Sequence, residues 1–411
     1  LKHLIIGNSA AGVAAAEEIR RLSPEAQITI LDREGLPFYS RVLTTWFLGG
    51  KLEREGLFLR DREFYSRLEC KLEKAEAKAI LPHRRQVVTK SGDTFSYDYL
   101  LLATGAAATP VEVKGASLPG VFTLRNLADA EGILPFIEAG ERAVILGGGL
   151  VSLKSAEALR HRGMAVTLAV SSSRILSRVL DETGANLVHK HLETRGYEIV
   201  TGEDCVEIKG EGRVSGVLLS SGREIPCRLV LAGKGVTPEV DLARQGGLQV
   251  KRGIAVNQRL ETSAPGIFAA GDVAETRDRL TGQDTVSALW GNAVEQGRLA
   301  GRGMAGYPAL YRGSLARNSL VLEDLGIISA GQLNGTAAGK VLERFWGNSY
   351  RKLVLQGQAL MGVLAVGEPQ GAGIIQGYLG RRLPVKIGEA FLNGSLSRAG
   401  LYREHSPFPR A

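Results

Sequence analysis

The sequence predicts an α/β chain with two parallel-sheet units of one design, followed by an α+β unit of another kind. Three observations carry this. From Lys2 to Glu34 an apolar run (Leu4-Ile5-Ile6) stops at Gly7, small residues (Asn8 to Gly12) lead into an alanine-rich helical stretch, and a second apolar run (Ile28 to Leu31) is closed by Asp32. The same order recurs from Arg142 to Val170, turning at Gly147-Gly148-Gly149-Leu150-Val151-Ser152. From Tyr311 onward the character changes and no such turn occurs. Strand, small-residue turn, helix and strand is the sequence form of a Rossmann-like dinucleotide site, because a pyrophosphate must approach the helix N-terminus and take its free N–H groups.

Taking the elements in order, Asp32 stands where a carboxylate accepts hydrogen bonds from ribose hydroxyls, and Ser9 replaces the middle glycine of the motif. Leu36 to Gly50 is irregular and aromatic-rich, and the charged, amphipathic stretch from about Glu53 to Leu72 reads as helical. Ala75 to Thr89 and Phe95 to Tyr97 read as strands of a β-meander turning at Ser91-Gly92-Asp93. Tyr99 to Ala103 is a strand buried on both faces, ending at Thr104-Gly105 where the backbone can pass close to a ligand.

In the second copy, Arg142 to Leu146 and Ala165 to Val170 are strands and Lys154 to Arg162 a helix. Its second strand ends in Val170, with no acid, followed by Ser171-Ser172-Ser173-Arg174. Loss of the carboxylate removes repulsion of a 2′-phosphate, which the serines and arginine could bind; a solvated loop accepting NADH is the equal alternative. Leu229 to Gly233 is a further buried strand, and Pro265 to Ala270 is a strand stopped by Gly271-Asp272, placed for a ribose or ribityl hydroxyl. A helix runs from the Trp290 segment to about Ala305. Asn318 to Gln332 reads as two strands, Tyr350 to Val366 as a hairpin turning at Gln356-Gly357-Gln358, and Gly371 to Leu379 as a short helix.

The 411 residues suggest two or three domains, and 44% hydrophobic with 23% charged residues is ordinary for a globular protein. No apolar run reaches the roughly eighteen residues of a membrane span, and no secretory signal is recognisable, so a cytoplasmic location is expected. The net charge of +8 comes without the basic stripe and interleaved aromatics of a nucleic-acid surface. It suits an acidic partner protein, with Arg381, Arg382, Lys386, Arg398 and Arg403 dense near the end. Cys70, Cys205 and Cys227 lie far apart without ligand spacing, so no metal and no disulfide framework is expected. Asn334-Gly335-Thr336 and Asn393-Gly394-Ser395 are read as chance glycosylation matches.

Together, Gly7/Ser9/Gly12 with Asp32, the Phe38-Tyr39-Ser40-Arg41 segment, Ala103-Thr104-Gly105, Gly147/Gly149/Ser152, Ala270-Gly271-Asp272 and Trp290-Gly291-Asn292-Ala293 before Gln296-Gly297 resemble the two-dinucleotide-binding flavoproteins. These are the FAD-dependent pyridine-nucleotide oxidoreductases. The similar branch contains rubredoxin and ferredoxin reductases, NADH oxidases and the FAD region of nitrite reductases. The resemblance spans essentially the whole chain. It implies an FAD-binding domain (1–108 and 239–309), an inserted NAD(P)-binding domain (109–238) and a C-terminal α+β interface domain (310–411).

By this resemblance Gly7, Ser9, Ala10, Ala11, Gly12, Asp32 and Arg33 hold the FAD pyrophosphate and adenosine ribose, and Ala77 meets the adenine through its backbone. Ser40, Arg41, Thr104, Gly105 and Arg125 line the flavin nucleotide, Gly271 and Asp272 take the ribityl chain, and Trp290 opens a helix facing the flavin's pyrimidine edge. Gly147, Gly149, Leu150, Val151, Ser152, Val170, Arg174 and Gly233 form the NAD(P) site. The family's redox cysteines are missing from Tyr39 to Leu43, so thiol chemistry is unsupported. Lys154 replaces a family glutamate beside the nicotinamide; it is an exposed helix lysine or a changed nicotinamide contact.

The implied activity is hydride transfer between NAD(P)H and flavin N5, then single electrons to or from a small acidic ferredoxin- or rubredoxin-like carrier, by a monomer or a homodimer. No side-chain acid, base or nucleophile is required, with Lys154 and Trp290 as modulators. A cysteine-free NADH oxidase using oxygen and a redox-sensing interaction flavoprotein are the alternatives.

Overall fold

The computed structural model describes residues 1–333 and 339–397. Asn334-Gly335-Thr336, Arg398 and Arg403 lie outside them. The chain divides into two compact units, one of residues 1–47, 52–108 and 236–315, the other of residues 48–51, 109–235 and 316–411. In chain order the first unit opens with β1 (Lys2–Ile6), α1 (Ala10–Leu22), β2 (Gln27–Asp32), β3 (Cys70–Lys74) and β4 (Tyr99–Leu102). The second follows with β5 (Arg142–Leu146), α2 (Leu150–His161), β6 (Ala165–Val170), α3 (Glu182–Glu193) and β7 (Leu229–Ala232). The first resumes with β8 (Ile267–Ala269) and α4 (Trp290–Met304). The second ends with β9 (Arg317–Leu322), β10 (Leu325–Gly331), β11 (Gly339–Trp346), β12 (Ser349–Gln356) and β13 (Ala359–Gly367).

The first unit's main sheet has the order β8-β4-β1-β2-β3, all parallel. Its central strands are apolar on both faces because both faces are covered: α1 and α4 pack on one, the meander Ala77–Leu81, Gln86–Thr89 and Thr94–Ser96 on the other. The second unit repeats the plan, Glu198–Thr201 and Val121–Thr123 flanking β6-β5-β7 in a parallel sheet. Its C-terminal part is an antiparallel sheet of order β9-β10-β13-β12-β11. The α/β class, the two Rossmann-like sheets and the α+β C-terminal part are as the sequence predicts. No described helix is long and apolar enough to cross a membrane.

The helical expectation for Glu53 to Leu72 is corrected. Only Arg54–Leu57 and Arg62–Arg67 are helical, and Cys70–Lys74 is the edge strand β3. An edge strand needs one buried residue rather than a continuous apolar run, and Cys70 supplies it. The edge strand β11 and the helix Val385–Leu392 were likewise without a sequence expectation.

On the packed face α1 and α4 touch through small residues. A Cβ on Gly297 would sit 2.2 Å from the Ala11 carbonyl oxygen, and one on Gly301 2.7 Å from that of Ala15. These glycines, one helical turn apart, let the two backbones meet and bring the N-terminal ends of both helices to one region.

His3 lies beneath this layer on β1, fully buried, stacked on Tyr99 at 5.7 Å, with neither ring nitrogen hydrogen-bonded among the described residues. Burial lowers its pKa from 6.5 to about 4. The folded value lies below the unfolded one, so stability is complete above about pH 6.5 and is lost as pH falls towards 4. The full loss is about 3 kcal/mol, roughly 2 kcal/mol of it by pH 5. Urea unfolding at pH 7 and pH 5 should show this decrement in the wild type and not in His3→Phe.

Candidate functional site

The first cluster is built where β1 ends. Gly7 has a φ of 114°, and a Cβ there would lie 2.1 Å from the Ala103 carbonyl oxygen. A Cβ on Gly12 would lie 2.0 Å from the Gly7 carbonyl oxygen. Residues 7 to 12 are therefore folded tightly against the exit of β4. Ser9 is the N-cap of α1 but makes no side-chain cap bond, and the first turn holds no acid, so the helix presents Ala10, Ala11 and Gly12 with their N–H groups.

Asn8 ties this turn to the next segment: its Nδ2 donates to the Leu36 carbonyl at 2.8 Å, and its Oδ1 accepts from the Tyr65 hydroxyl at 2.9 Å. The same hydroxyl accepts from the Phe38 amide at 2.9 Å. Phe38 in turn stacks on Trp290 at 5.6 Å. Sequence reasoning placed Asn8 in the turn but missed Tyr65, since nothing local marks a tyrosine as the partner of a residue so distant in the chain.

Asp32 is buried at the end of β2, where its carboxylate accepts from the Gly35 amide at 2.7 Å. Burial pushes its pKa up, Glu34 adds to this, and the Gly35 and Asn8 amides offset part of it. Ser40 is buried, and Arg41 pairs with Glu34 and lies over the Tyr39 ring at 5.2 Å. Thr104 donates to the Glu239 carbonyl at 3.0 Å, and Gly105 has a φ of 72°. Gly271, with a φ of 85°, is tight against α1, since a Cβ there would lie 3.2 Å from that of Ala11. Its amide donates to Gln296 Oε1 at 2.8 Å.

Gly7 to Gly12, Thr104, Gly271 and α4 thus converge at the carboxyl ends of β1, β4 and β8, where ligands bind in doubly wound sheets. Three further named residues are described by their own contacts and elements. Arg33 makes a two-point pair with Glu239 at 2.8 and 3.0 Å. Ala77 opens the meander strand Ala77–Leu81. Arg125 belongs to the other compact unit, its amide on Asp129 at 2.8 Å.

The second cluster repeats the design. Gly147 has a φ of 127°, and a Cβ there would sit 2.4 Å from the Gly233 carbonyl oxygen. Ser152 is buried and donates to that same oxygen at 3.3 Å. Gly149 is the N-cap of α2, without a side-chain cap, and a Cβ there would meet nothing within 4 Å. Leu150 and Val151 open the helix, and Val151 is exposed.

Val170 packs beneath this turn, 2.8 Å from where a Gly148 Cβ would be. The loop after it folds back, the Leu176 amide donating to the Gly148 carbonyl at 2.7 Å. In that loop Ser172 donates to the Arg174 carbonyl at 2.8 Å, and Arg174 Nε is buried without a hydrogen-bond partner among the described residues.

Lys154 is not an exposed helix lysine. Its ammonium bonds Glu157 and, at 3.0 Å, the Val321 carbonyl of β9, while Glu157 also takes Lys51 at 3.0 Å. Glu157, His161 and Glu323 have metal-compatible spacing, but two lysines hold Glu157 and Tyr197 holds Glu323. All three cysteines are buried as free thiols, and burial pushes Cys70 and Cys227 up to about 12, far from a reactive thiolate.

Two parallel sheets, each ending on a glycine turn at an uncapped helix, define a protein of the two-dinucleotide class. The chain belongs to the pyridine nucleotide-disulphide oxidoreductase family, whose model matches residues 1–297, a family of FAD-dependent oxidoreductases that use NAD(P)H. It is 30% identical over 387 residues to the NADH-dependent phenylglyoxylate dehydrogenase subunit epsilon of Aromatoleum evansii, covering 93% of this chain and 92% of that one. It is 30% identical over 370 residues to the nitrite reductase [NAD(P)H] of Bacillus subtilis (strain 168), covering 89% of this chain and 45% of that one. The chain therefore spans less than half the length of that relative. Among solved structures, the covalent putidaredoxin reductase–putidaredoxin complex matches with a TM-score of 0.87 at 27% identity, covering 96% of this chain and 98% of that one.

Proposed function

We propose that the chain oxidises NAD(P)H through FAD and passes single electrons to a small acidic iron–sulfur or rubredoxin-type carrier protein, or runs the reverse. The observation that carries this is the pair of glycine turns at uncapped helices, Gly7 to Gly12 and Gly147 to Ser152, in a chain whose thiols are all buried. In this reading residues 1–108 and 239–309 hold FAD, residues 109–238 hold NAD(P)H, and residues 310–411 form an interface domain.

The residues fit FAD. The α1 N-terminus has no internal cap, and Asp32 is a buried carboxylate at the ribose end of β2. Bound FAD supplies the step between two-electron and one-electron chemistry, taking hydride from the nicotinamide and releasing electrons singly. Gly7 to Gly12 would bind its pyrophosphate, Asp32 its ribose and Asp272 its ribityl chain. α4 opens without a side-chain cap and with no acid in its first turn, so its positive end would stabilise the negative charge of reduced flavin. Gly147 to Ser152 would bind the pyrophosphate of NADH or NADPH, and Val170 sets no carboxylate against a 2′-phosphate.

The likeness to the putidaredoxin reductase chain supports a protein acceptor, and the net charge of +8 supports an acidic one. The three buried free thiols support a reducing, cytoplasmic setting. The test compares reduction of an acidic [2Fe–2S] ferredoxin with that of a neutral dye as salt rises. Carrier reduction should outpace the dye and slow at least tenfold from low to high salt. Equal, salt-independent rates, with NADH consumption matched by hydrogen peroxide, would sink the carrier and leave oxygen as acceptor.

A further inference from the structure

Beneath the Gly271–Asp272 turn lies a file of polar side chains that none of the nucleotide contacts named above uses. Gln296, Tyr311, Ser314 and Thr276 are each at most 4% exposed. Gln296 Oε1 takes the Gly271 amide at 2.8 Å, and since that amide can only donate, the orientation of the side chain is fixed. Its Nε2 must then donate to the Tyr311 hydroxyl at 3.2 Å and the Ser314 hydroxyl at 3.4 Å. Tyr311 and Ser314 are 3.0 Å apart, and Ser314 and Thr276 2.8 Å. One helical turn earlier, Asn292 Nδ2 donates to Ser287 at 2.7 Å and the Leu315 carbonyl at 3.3 Å, so Tyr311 to Leu315 form a strap along α4.

We propose that this file is a positioning device for the flavin site, with Tyr311 and Ser314 as positioning residues. They hold the Gln296 amide, Gln296 holds Gly271 in its left-handed conformation, and the turn thereby presents Asp272 before any ligand arrives. Four buried polar groups are an expensive way to fill a core, whereas donation fixed from the Gly271 amide through Gln296 to the Tyr311 and Ser314 hydroxyls resists rotation of the Gln296 amide. Apolar side chains of the same volume would pack as well and leave the Gly271 amide unsatisfied. The proposal rests on the reading of this cluster as an FAD site.

The test measures FAD dissociation constants and the visible circular dichroism of bound flavin for the wild type, Tyr311→Phe and Ser314→Ala. Exposed Tyr307→Phe is the control. Each file variant should bind FAD about tenfold more weakly and alter the flavin dichroism. In the wild-type apoprotein, amide exchange across residues 270–275 should already be slow. If the wild type binds no FAD, the flavin reading of the cluster fails. If the wild type binds FAD while both variants match it in affinity and dichroism, whatever their melting temperatures, the positioning role is overturned. Fast exchange across 270–275 in the apoprotein overturns it without any variant.

Discussion

Gly12→Ala should purify without flavin and bind added FAD roughly hundredfold more weakly than the wild type. The added Cβ would fall 2.0 Å from the Gly7 carbonyl oxygen and 3.2 Å from Ile5 Cγ2. The first neighbour is backbone at the end of the central strand, so the clash cannot be relieved by a rotamer change. Either α1 slides away from β1 or the turn opens, and both displace the N–H groups of Ala10, Ala11 and Gly12 together. At Gly7 a φ of 114° would add conformational strain to the clash; Gly12 isolates the steric term. Flavin content on purification and fluorescence titration of the apoprotein read the effect. Gly373→Ala, where a Cβ meets nothing within 4 Å, should change neither. A Gly12→Ala protein that retains FAD at wild-type affinity would remove the Gly7–Gly12 turn from the proposed site.

The legibility of the sequence follows burial and distance along the chain. β1, β4, β5 and β7 are buried on both faces and so appear as continuous apolar runs; their glycine turns follow at once. The edge strands β3 and β11 face solvent over most of their length, and Cys70–Lys74 disappeared into a charged stretch read as helix. The α1–α4 contact was half legible. Gly297 belonged to a recognised motif, but its purpose, admitting the Ala11 backbone, needs both helices in view.

Side-chain partners were least legible where they are remote. Lys154 looked like a helix lysine or a nicotinamide contact, and its second partner is a carbonyl of β9. Tyr65 and Tyr311 carried no pattern, since their hydroxyls act on Asn8 and Gln296 through folded geometry alone.

The largest loss of stability is expected from Asp181→Ala. Asp181 caps α3, its Oδ1 accepting from the Gly184 amide at 2.9 Å. Its Oδ2 receives Lys352 Nζ at 2.7 Å and the fully buried Tyr350 hydroxyl at 2.8 Å. Glu343 approaches the same hydroxyl at 3.0 Å, and with burial and two carboxylates around it the phenol is held far above its ordinary pKa.

Asp181 and Lys352 side chains are both 11% exposed, so alanine at 181 leaves an ammonium nearly buried without its partner and α3 without its cap. Breaking such a pair costs about 3–5 kcal/mol, and losing the cap adds about 1 kcal/mol. Asp181→Asn separates the two, since asparagine still accepts from Gly184 while the charge is gone. Pairing it with Lys352→Met removes both charges, and most of the lost stability should return, because the pair's attraction largely offsets its own desolvation. Urea unfolding of the wild type, Asp181→Asn, Lys352→Met and the double variant forms the cycle, with Asp181→Ala measured beside it. A shift under about 1 kcal/mol for Asp181→Ala would mean that the pair behaves as a surface ion pair. In that case the packing of α3 on β13, where Gly184 meets Leu364 and Val366, would hold the C-terminal sheet in this unit without help from the charges.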